Sequence, residues 1–313
     1  MTVVLLDGPN VCFRFGAVLS KLTGPDGNPV GAVHGLLGTI VRFKKRFPNC
    51  CCIVVWDGEH YRQDGWRNKL YPGYKVRPKT GLGMSIIGQI RAASEILTAA
   101  GVIQVRVPEL EADDVIGVLV GECTKRGWYP VIYSSDRDFC QLFANAVLIT
   151  GANKTDKLGA EKKAGILARY GCTDLTQVLK VRAITGDTSD RIPPAVAGLG
   201  VKTAAKLVLM GIDPSLPNFE NHSLPIQEIG ARLKLGWPNV VRNYRLMRIV
   251  GSVSDPELST KQSESLGQAV ESIICNMEKG IEAHHREVIG LLGGLGLTQA
   301  IQDRTALLAG WEF

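Results

Sequence analysis

Four short apolar runs in this chain each lead into acid. TVVLLD ends at Asp7, CCIVVWD at Asp57 and WYPVIYSSD at Asp136, while IQVRVPELE runs into Glu109 and Glu111. Runs this short and rich in Val and Ile read as strands. The stretches between them, such as Val33 to Phe47 and Ile86 to Ala100, read as helices. Alternating strands and helices predict βαβ units, and so an α/β protein with a mainly parallel sheet flanked by helices. In such a sheet ligands bind beyond the carboxyl ends of the strands, which is where these acids are expected.

A single acid there has an ordinary explanation, because Asp and Glu suit helix N-termini. The full set is harder to explain that way. EADDVIGVLVGECTKRG opens with Glu111, Asp113 and Asp114 and continues as a helix with Val115 and Leu119 on its buried side. SSDRDF adds Asp136 and Asp138, alternate residues expected on one side of an extended segment. TGDTSDRIP adds Asp187 and Asp190, which can face together in a loop or a first helical turn. Either pair could also be turn or cap residues. Gathered together, however, carboxylates repel unless cations lie between them. The group contains no His or Cys ligand set, so oxygen-only ligation favours Mg²⁺ or Mn²⁺ over zinc. Two such ions, about 4 Å apart, suit phosphodiester hydrolysis. Glu109 is expected to stand apart on the preceding strand or turn.

Charge points the same way. The net charge of +6 includes the nine carboxylates named other than Glu109, Asp7 and Asp57 among them, so the rest of the chain is considerably more basic. A basic body with an acidic focus is the electrostatic outline of a metal-dependent enzyme acting on a polyanion. WRNKLYPGYKVRPKTG interleaves Arg67, Lys75 and Arg77 with Trp66, Tyr71 and Tyr74. That pattern suits single-stranded nucleic acid, through phosphate pairing and base stacking, although an exposed basic loop would look alike. AGLGVKTAAKL places Gly198 and Gly200 in a tight turn before a helix, with Lys202 and Lys206 beyond it. Backbone amides there can hold a phosphate, but the spacing is not that of a P-loop. Downstream, Arg232, Lys234, Arg242, Arg245 and Arg248 fit a helix-hairpin module gripping a duplex backbone. An ordinary helix–turn–helix corner is the alternative.

At 313 residues and 45% hydrophobic content the chain is globular, one large domain or two ordinary ones. The eight cysteines contain no C-x-x-C pair and read as buried, reduced thiols. No 18-residue apolar run occurs, and no basic leader precedes Asp7. A cytoplasmic protein with no membrane partner is expected.

Taken in order, LLDGPNVCFRF, WRNKLYPGYK, EADD, SSDRDF, GDTSD and GLGVKTA resemble the motifs of the 5′ nuclease superfamily across residues 3 to 250. That superfamily comprises flap endonucleases, phage 5′→3′ exonucleases and the 5′-nuclease domain of bacterial DNA polymerase I. The likeness is strongest to the stand-alone phage enzymes, which makes a phage-encoded protein acting in a bacterial host an expectation.

The resemblance implies a PIN-like core over 1–180 with a helical arch about 60–100. It also implies a helix–three-turn–helix duplex-binding region over 181–250, then a linker and accessory helices of unknown role to 313. It implies a monomer acting on DNA with a 5′ flap or a 5′ single-strand/duplex junction, leaving a 3′-hydroxyl and a 5′-phosphate. It makes Asp7, Asp57, Glu111, Asp113, Asp114, Asp136, Asp138, Asp187 and Asp190 metal-binding carboxylates. Of these, Asp7, Asp57, Glu111 and Asp113 go mostly to a first ion, and Asp136, Asp138 and Asp187 mostly to a second.

By the same resemblance Lys75 assists at the scissile phosphate with Tyr74 beside it, Arg67 stands at the opening of the arch, and Arg182 precedes the GD motif. Gly198, Gly200, Lys202 and Lys206 would hold duplex DNA, with a K⁺ ion at the hairpin. Two departures stand out. DRIPPAVAGLGVK is one residue longer than the family turn, with Pro194 and Ala195 where a glycine is common, and Arg77 lies one position early for the arch arginine. Two other readings fit less of the chain: a PIN-type ribonuclease, and a non-catalytic DNA-junction binder.

Overall fold

Alternation along the first strand shows how the core is divided. Val3 and Leu5 point to one face of the sheet and Val4 and Leu6 to the other, and all four are fully buried. A strand apolar on both faces belongs inside a parallel sheet covered on both sides. The computed structural model, which describes residues 1–76, 80–149, 158–216, 218–219, 227–279 and 285–297, has that arrangement. Strands β1 (Thr2–Asp7), β2 (Cys51–Trp56), β3 (Ile103–Arg106), β4 (Tyr129–Tyr133) and β5 (Val147–Ile149) form a sheet in the order β3-β2-β1-β4-β5. Every pairing in it is parallel, so the expected mainly parallel sheet is wholly parallel. β5 was not among the expected strands; three residues are too few to show a period.

The helices are α1 (Gly8–Val18), α2 (Gly31–Arg46), α3 (Tyr61–Asp64), α4 (Trp66–Leu70), α5 (Gly81–Ala99) and α6 (Ala112–Lys125). They continue as α7 (Leu158–Tyr170), α8 (Leu175–Thr185), α9 (Val201–Leu209), α10 (Gln227–Met247), α11 (Thr260–Lys279) and α12 (His285–Gly294). One face of the sheet packs on α2, α5 and α12, through residues such as Leu36, Ile40, Ile96, Leu97, Val288 and Leu292. The other packs on α6 and α11, through Ile116, Leu119, Leu266 and Ile273. A separate core joins α7 to α10, through Ile166, Val178, Ile184, Leu207, Leu233 and Trp237. This second packing unit begins with α7, ahead of residue 181, and α8 spans that position.

The stretch after residue 250, where a linker was expected to begin, is helical from Thr260 onward. Its first part is held by Arg248 on Asp255 (2.6 Å) and Arg245 on Glu257 (2.7 Å). Those two arginines were expected on a DNA-facing helix; their charge is taken up by these carboxylates.

The strand order reverses at β1, which has β2 on one side and β4 on the other. The crevice beyond the carboxyl ends of β1 and β4 is therefore the topological switch point of the sheet.

Candidate active site

At that crevice Asp7 ends β1 and caps α1, accepting from the Asn10 backbone N–H (3.1 Å) and from Ser134 Oγ (2.8 Å) beyond β4. Glycine is required at position 8, because a Cβ there would lie 2.5 Å from the Trp56 ring. Asp57, just past β2, accepts from the Ala112 N–H (3.0 Å) at the start of α6. Glu111, the residue before that helix, receives Lys75 Nζ, Arg67 Nη1 (3.2 Å) and the Tyr74 hydroxyl (3.4 Å). Asp7, Asp57, Glu111, Asp113, Asp136 and Asp190 all line one cavity of ≈ 460 Å³. Tyr61, Arg62 and Lys75 share its wall, and Phe13, Met84 and Ile87 from α1 and α5 supply an apolar part.

Acid outweighs base in this cavity. Burial pushes the Asp7 carboxyl up to about 7 against its bonds from Ser134 and Asn10, and Asp136 and Asp57 add repulsion. Burial likewise raises Asp57, with Glu111 adding to it, and raises Asp190 over the opposing pull of Lys75. It lifts Asp113 well above the ordinary range despite Arg67. For Glu111 burial is outweighed by Lys75 and Arg67, which hold its carboxyl low.

Carboxylates that resist ionisation in one cavity, with only oxygen donors among them, are suited to a hard divalent cation. In this conformation no three His, Cys, Asp or Glu groups among the described residues converge on one ion position. The Lys75 ammonium stands against Glu111 instead, and side-chain rotation would have to accompany ion binding.

A pH dependence follows. The folded chain keeps a proton on Asp7 between its ordinary value of 3.8 and about 7, while the unfolded chain does not. Without divalent ions, stability should therefore fall as pH rises through that window, by about 2–3 kcal/mol between about pH 5 and pH 8. Added Mg²⁺ should restore it at the higher pH. Urea unfolding in EDTA and in Mg²⁺ checks both, and a metal-free stability that is flat or rising with pH would contradict them.

Three of the expected metal ligands point elsewhere. Asp138 and Asp187 both embrace the guanidinium of Arg182. Asp138 does not share a side with Asp136, because a 3-10 turn begins there and Asp136 accepts the Asp138 N–H (2.9 Å). Burial pushes Asp138 up to about 6 in spite of Arg182, whereas Ser189 and Arg182 overcome burial at Asp187 and hold it low. Asp114 is fully buried and turned away from the cavity, bound by Trp66 Nε1 (3.0 Å), Arg67 (2.6 and 2.8 Å) and the Val250 N–H (3.0 Å). Glu109 stands apart as expected, paired with Lys261 (2.6 Å).

The expected DNA contacts divide sharply. Arg67, Tyr74 and Arg182 lie inside the protein, 3%, 3% and 6% exposed, and each is bonded to carboxylates there. Arg77 lies outside the described residues. Gly198 does form the turn, at φ 76, but Gly200 sits at φ −78, where a side chain is tolerated. Lys202 and Lys206 are exposed on α9. Arg232 is turned onto the Ala197 carbonyl, and Arg242 lies 4.8 Å over the Tyr71 ring. Ser134, Asn10 and Tyr61 were not anticipated in the site. Ser134 and Asn10 fall inside the quoted motifs, and Tyr61 carries no signal beyond its place after β2.

Comparison with known proteins agrees with this geometry. A family described as the 5′-3′ exonuclease, N-terminal resolvase-like domain matches residues 2–171. This chain belongs to that 5′-3′ exonuclease family. The 5′-3′ exonuclease of Buchnera aphidicola (subsp. Acyrthosiphon pisum, strain APS) is 29% identical over 254 residues, covering 79% of this chain and 86% of that one. DNA polymerase I of Deinococcus radiodurans is 35% identical over 208 residues, 66% of this chain and 20% of the polymerase. Among solved structures, the bacteriophage T5 5′-exonuclease with bound zinc superposes at a TM-score of 0.70 and 17% identity, covering 88% of this chain and all of that one. The T5 flap endonuclease in a product complex with DNA and metal ions gives a TM-score of 0.66 at 17% identity, covering 89% of this chain and all of that one. Among the described residues no helix is long and apolar enough to cross a membrane.

Proposed function

We propose that this 5′-3′ exonuclease family member is a structure-selective, divalent-metal-dependent DNA nuclease, both 5′→3′ exonuclease and flap endonuclease. The observation that carries the reading is the cavity at the switch point, where carboxylates from separate segments meet at the ends of parallel strands. Asp7, Asp57, Glu111, Asp113, Asp136 and Asp190 would hold Mg²⁺ or Mn²⁺ there. Asp138 and Asp187 would join them if Arg182, whose guanidinium now stands between them as a cation, gave way. When bound, two ions lower the pKa of water and offset charge at the scissile phosphate.

The remaining roles belong to side chains. Lys75 is held close to the cavity by a backbone bond from its N–H to the Asp190 carbonyl (2.9 Å), and its ammonium would neutralise phosphate charge. Phe13, Met84 and Ile87 give the cavity an apolar side on which part of a nucleotide could rest. Exposed Lys202, in the first turn of α9, and Lys206, in its last turn, would pair with duplex phosphates and fix the distance from junction to cavity. A K⁺ ion at the Gly198 turn belongs to the same reading. The T5 flap endonuclease, solved with DNA and metal ions, shares the fold and supports it.

Matched DNA and RNA flaps, and a blunt duplex, test the substrate class. Cleavage of the DNA flap near its junction, well ahead of the RNA flap, is the expected result. Preference for RNA would replace this reading with a ribonuclease.

A further inference from the structure

Asp114 and Arg67 form an arrangement for which neither metal ligation nor DNA contact gives an account. We propose that they are positioning residues, a dry carboxylate–guanidinium junction that sets Glu111 at the cavity wall. The inference rests on the metal-dependent reading of that wall.

Asp114 is fully buried and accepts four hydrogen bonds: from Trp66 Nε1, both terminal nitrogens of Arg67, and the Val250 N–H. A carboxylate has about four acceptor sites, so none is left for an ion. Arg67 is equally committed. Its Nε donates to the Leu246 carbonyl (2.9 Å), Nη1 to Glu111 and Asp114, and Nη2 to Asp114 and the Arg248 carbonyl (2.9 Å). All the donors of the guanidinium are used.

The junction is closed to solvent. Asp114 is 0%, Arg67 3%, Trp66 6% and Glu111 7% exposed. One turn along α6, Gly117 leaves no room for a Cβ against the Val250 carbonyl, so the chain after α10 lies directly on that helix. Three segments are thereby tied together: α4, the start of α6, and Leu246–Val250.

Glu111 belongs to both the junction and the cavity. Its Oε1 is held by Arg67, while its Oε2 meets Lys75 and Tyr74. With one oxygen fixed from behind, the other is presented at the wall. Removing the Asp114 charge would free the guanidinium to take hold of Glu111 and Asp113, which already lies 3.7 Å from it.

The test uses Asp114→Asn, Arg67→Lys, Trp66→Phe and the double variant Arg67→Gln/Asp114→Asn. Mn²⁺ binding is read by electron paramagnetic resonance, with thermal unfolding, flap cleavage, and DNA affinity in Ca²⁺ alongside. Asp114→Asn is expected to keep the wild-type number of bound Mn²⁺ ions with affinity and kcat each lowered about 10- to 100-fold, and DNA affinity within about twofold. The double variant should recover part of the lost Mn²⁺ affinity, because the competing guanidinium is gone. Arg67→Lys, which keeps the charge and loses the fork, should weaken Mn²⁺ at an unchanged ion count.

Loss of a whole Mn²⁺ equivalent in Asp114→Asn, with no recovery in the double variant, would make Asp114 a ligand and overturn the proposal. So would an Arg67→Lys protein with weakened DNA binding and unchanged Mn²⁺ affinity. Should Asp114→Asn fail to fold, Trp66→Phe removes one bond to Asp114 with the charges still paired. A several-fold weaker Mn²⁺ affinity there supports the proposal, and an unchanged one overturns it. Wild-type protein that binds no Mn²⁺ defeats the proposed function, and this inference with it. Wild-type binding matched by every variant defeats this inference alone.

Discussion

Asp136→Ala should lower kcat on a flapped DNA duplex by on the order of 10³-fold or more, with DNA affinity and stability close to wild type. Asp136 is an exposed carboxylate on the cavity wall, where it accepts from the Asp138 N–H beside it (2.9 Å). Its removal opens no core cavity and unpairs no buried cation. It also relieves repulsion on Asp7, so stability without metal should hold or rise slightly. Single-turnover cleavage in Mg²⁺ and fluorescence anisotropy in Ca²⁺ separate the two effects. Cleavage within about tenfold of wild type would remove Asp136 from the machinery, since loss of an essential group costs far more.

Arg182→Ala should act in the opposite manner, on folding before chemistry. Arg182 is 6% exposed and lies between Asp138 and Asp187, which are themselves largely buried. Taking away the cation leaves two carboxylates facing each other in the interior, a change expected to cost about 3–5 kcal/mol. Millimolar Mg²⁺ should return part of that stability if the two acids can take an ion in its place. Urea unfolding with and without Mg²⁺ is the measurement. A loss under about 1 kcal/mol, accompanied by weaker DNA binding, would instead mean that the guanidinium turns outward to a phosphate.

The sheet was legible because β1, β2 and β4 are short apolar runs that stop at an acid, and few other structures produce that pattern. Their common edge, and so the place of the cavity, followed from parallel topology. The destination of each carboxylate was less legible. Asp113 and Asp114 are neighbours on a helix, separated by about 100° of rotation, so one reaches the cavity and the other the interior. Chain spacing contains that fact, yet grouping the acids by proximity concealed it.

The cations were hidden for another reason. Arg67 and Arg182 have the sequence signature of surface residues, and the arrival of Asp114 and Asp138 from elsewhere in the chain, with Asp187 close by, makes burial tolerable. Arg245 and Arg248, less buried, also have carboxylate partners, Glu257 and Asp255, and these lie beyond the expected boundary of the region. Lys202 and Lys206 pair with no carboxylate among the described residues, and both are exposed.

Incubating the protein with a 5′-labelled flapped DNA duplex, in Mg²⁺ and in EDTA, and sizing the products tests the central claim most directly. The account predicts cleavage near the junction in Mg²⁺ and none in EDTA. Tight binding without cleavage in either Mg²⁺ or Mn²⁺ would contradict it and make the protein a junction binder.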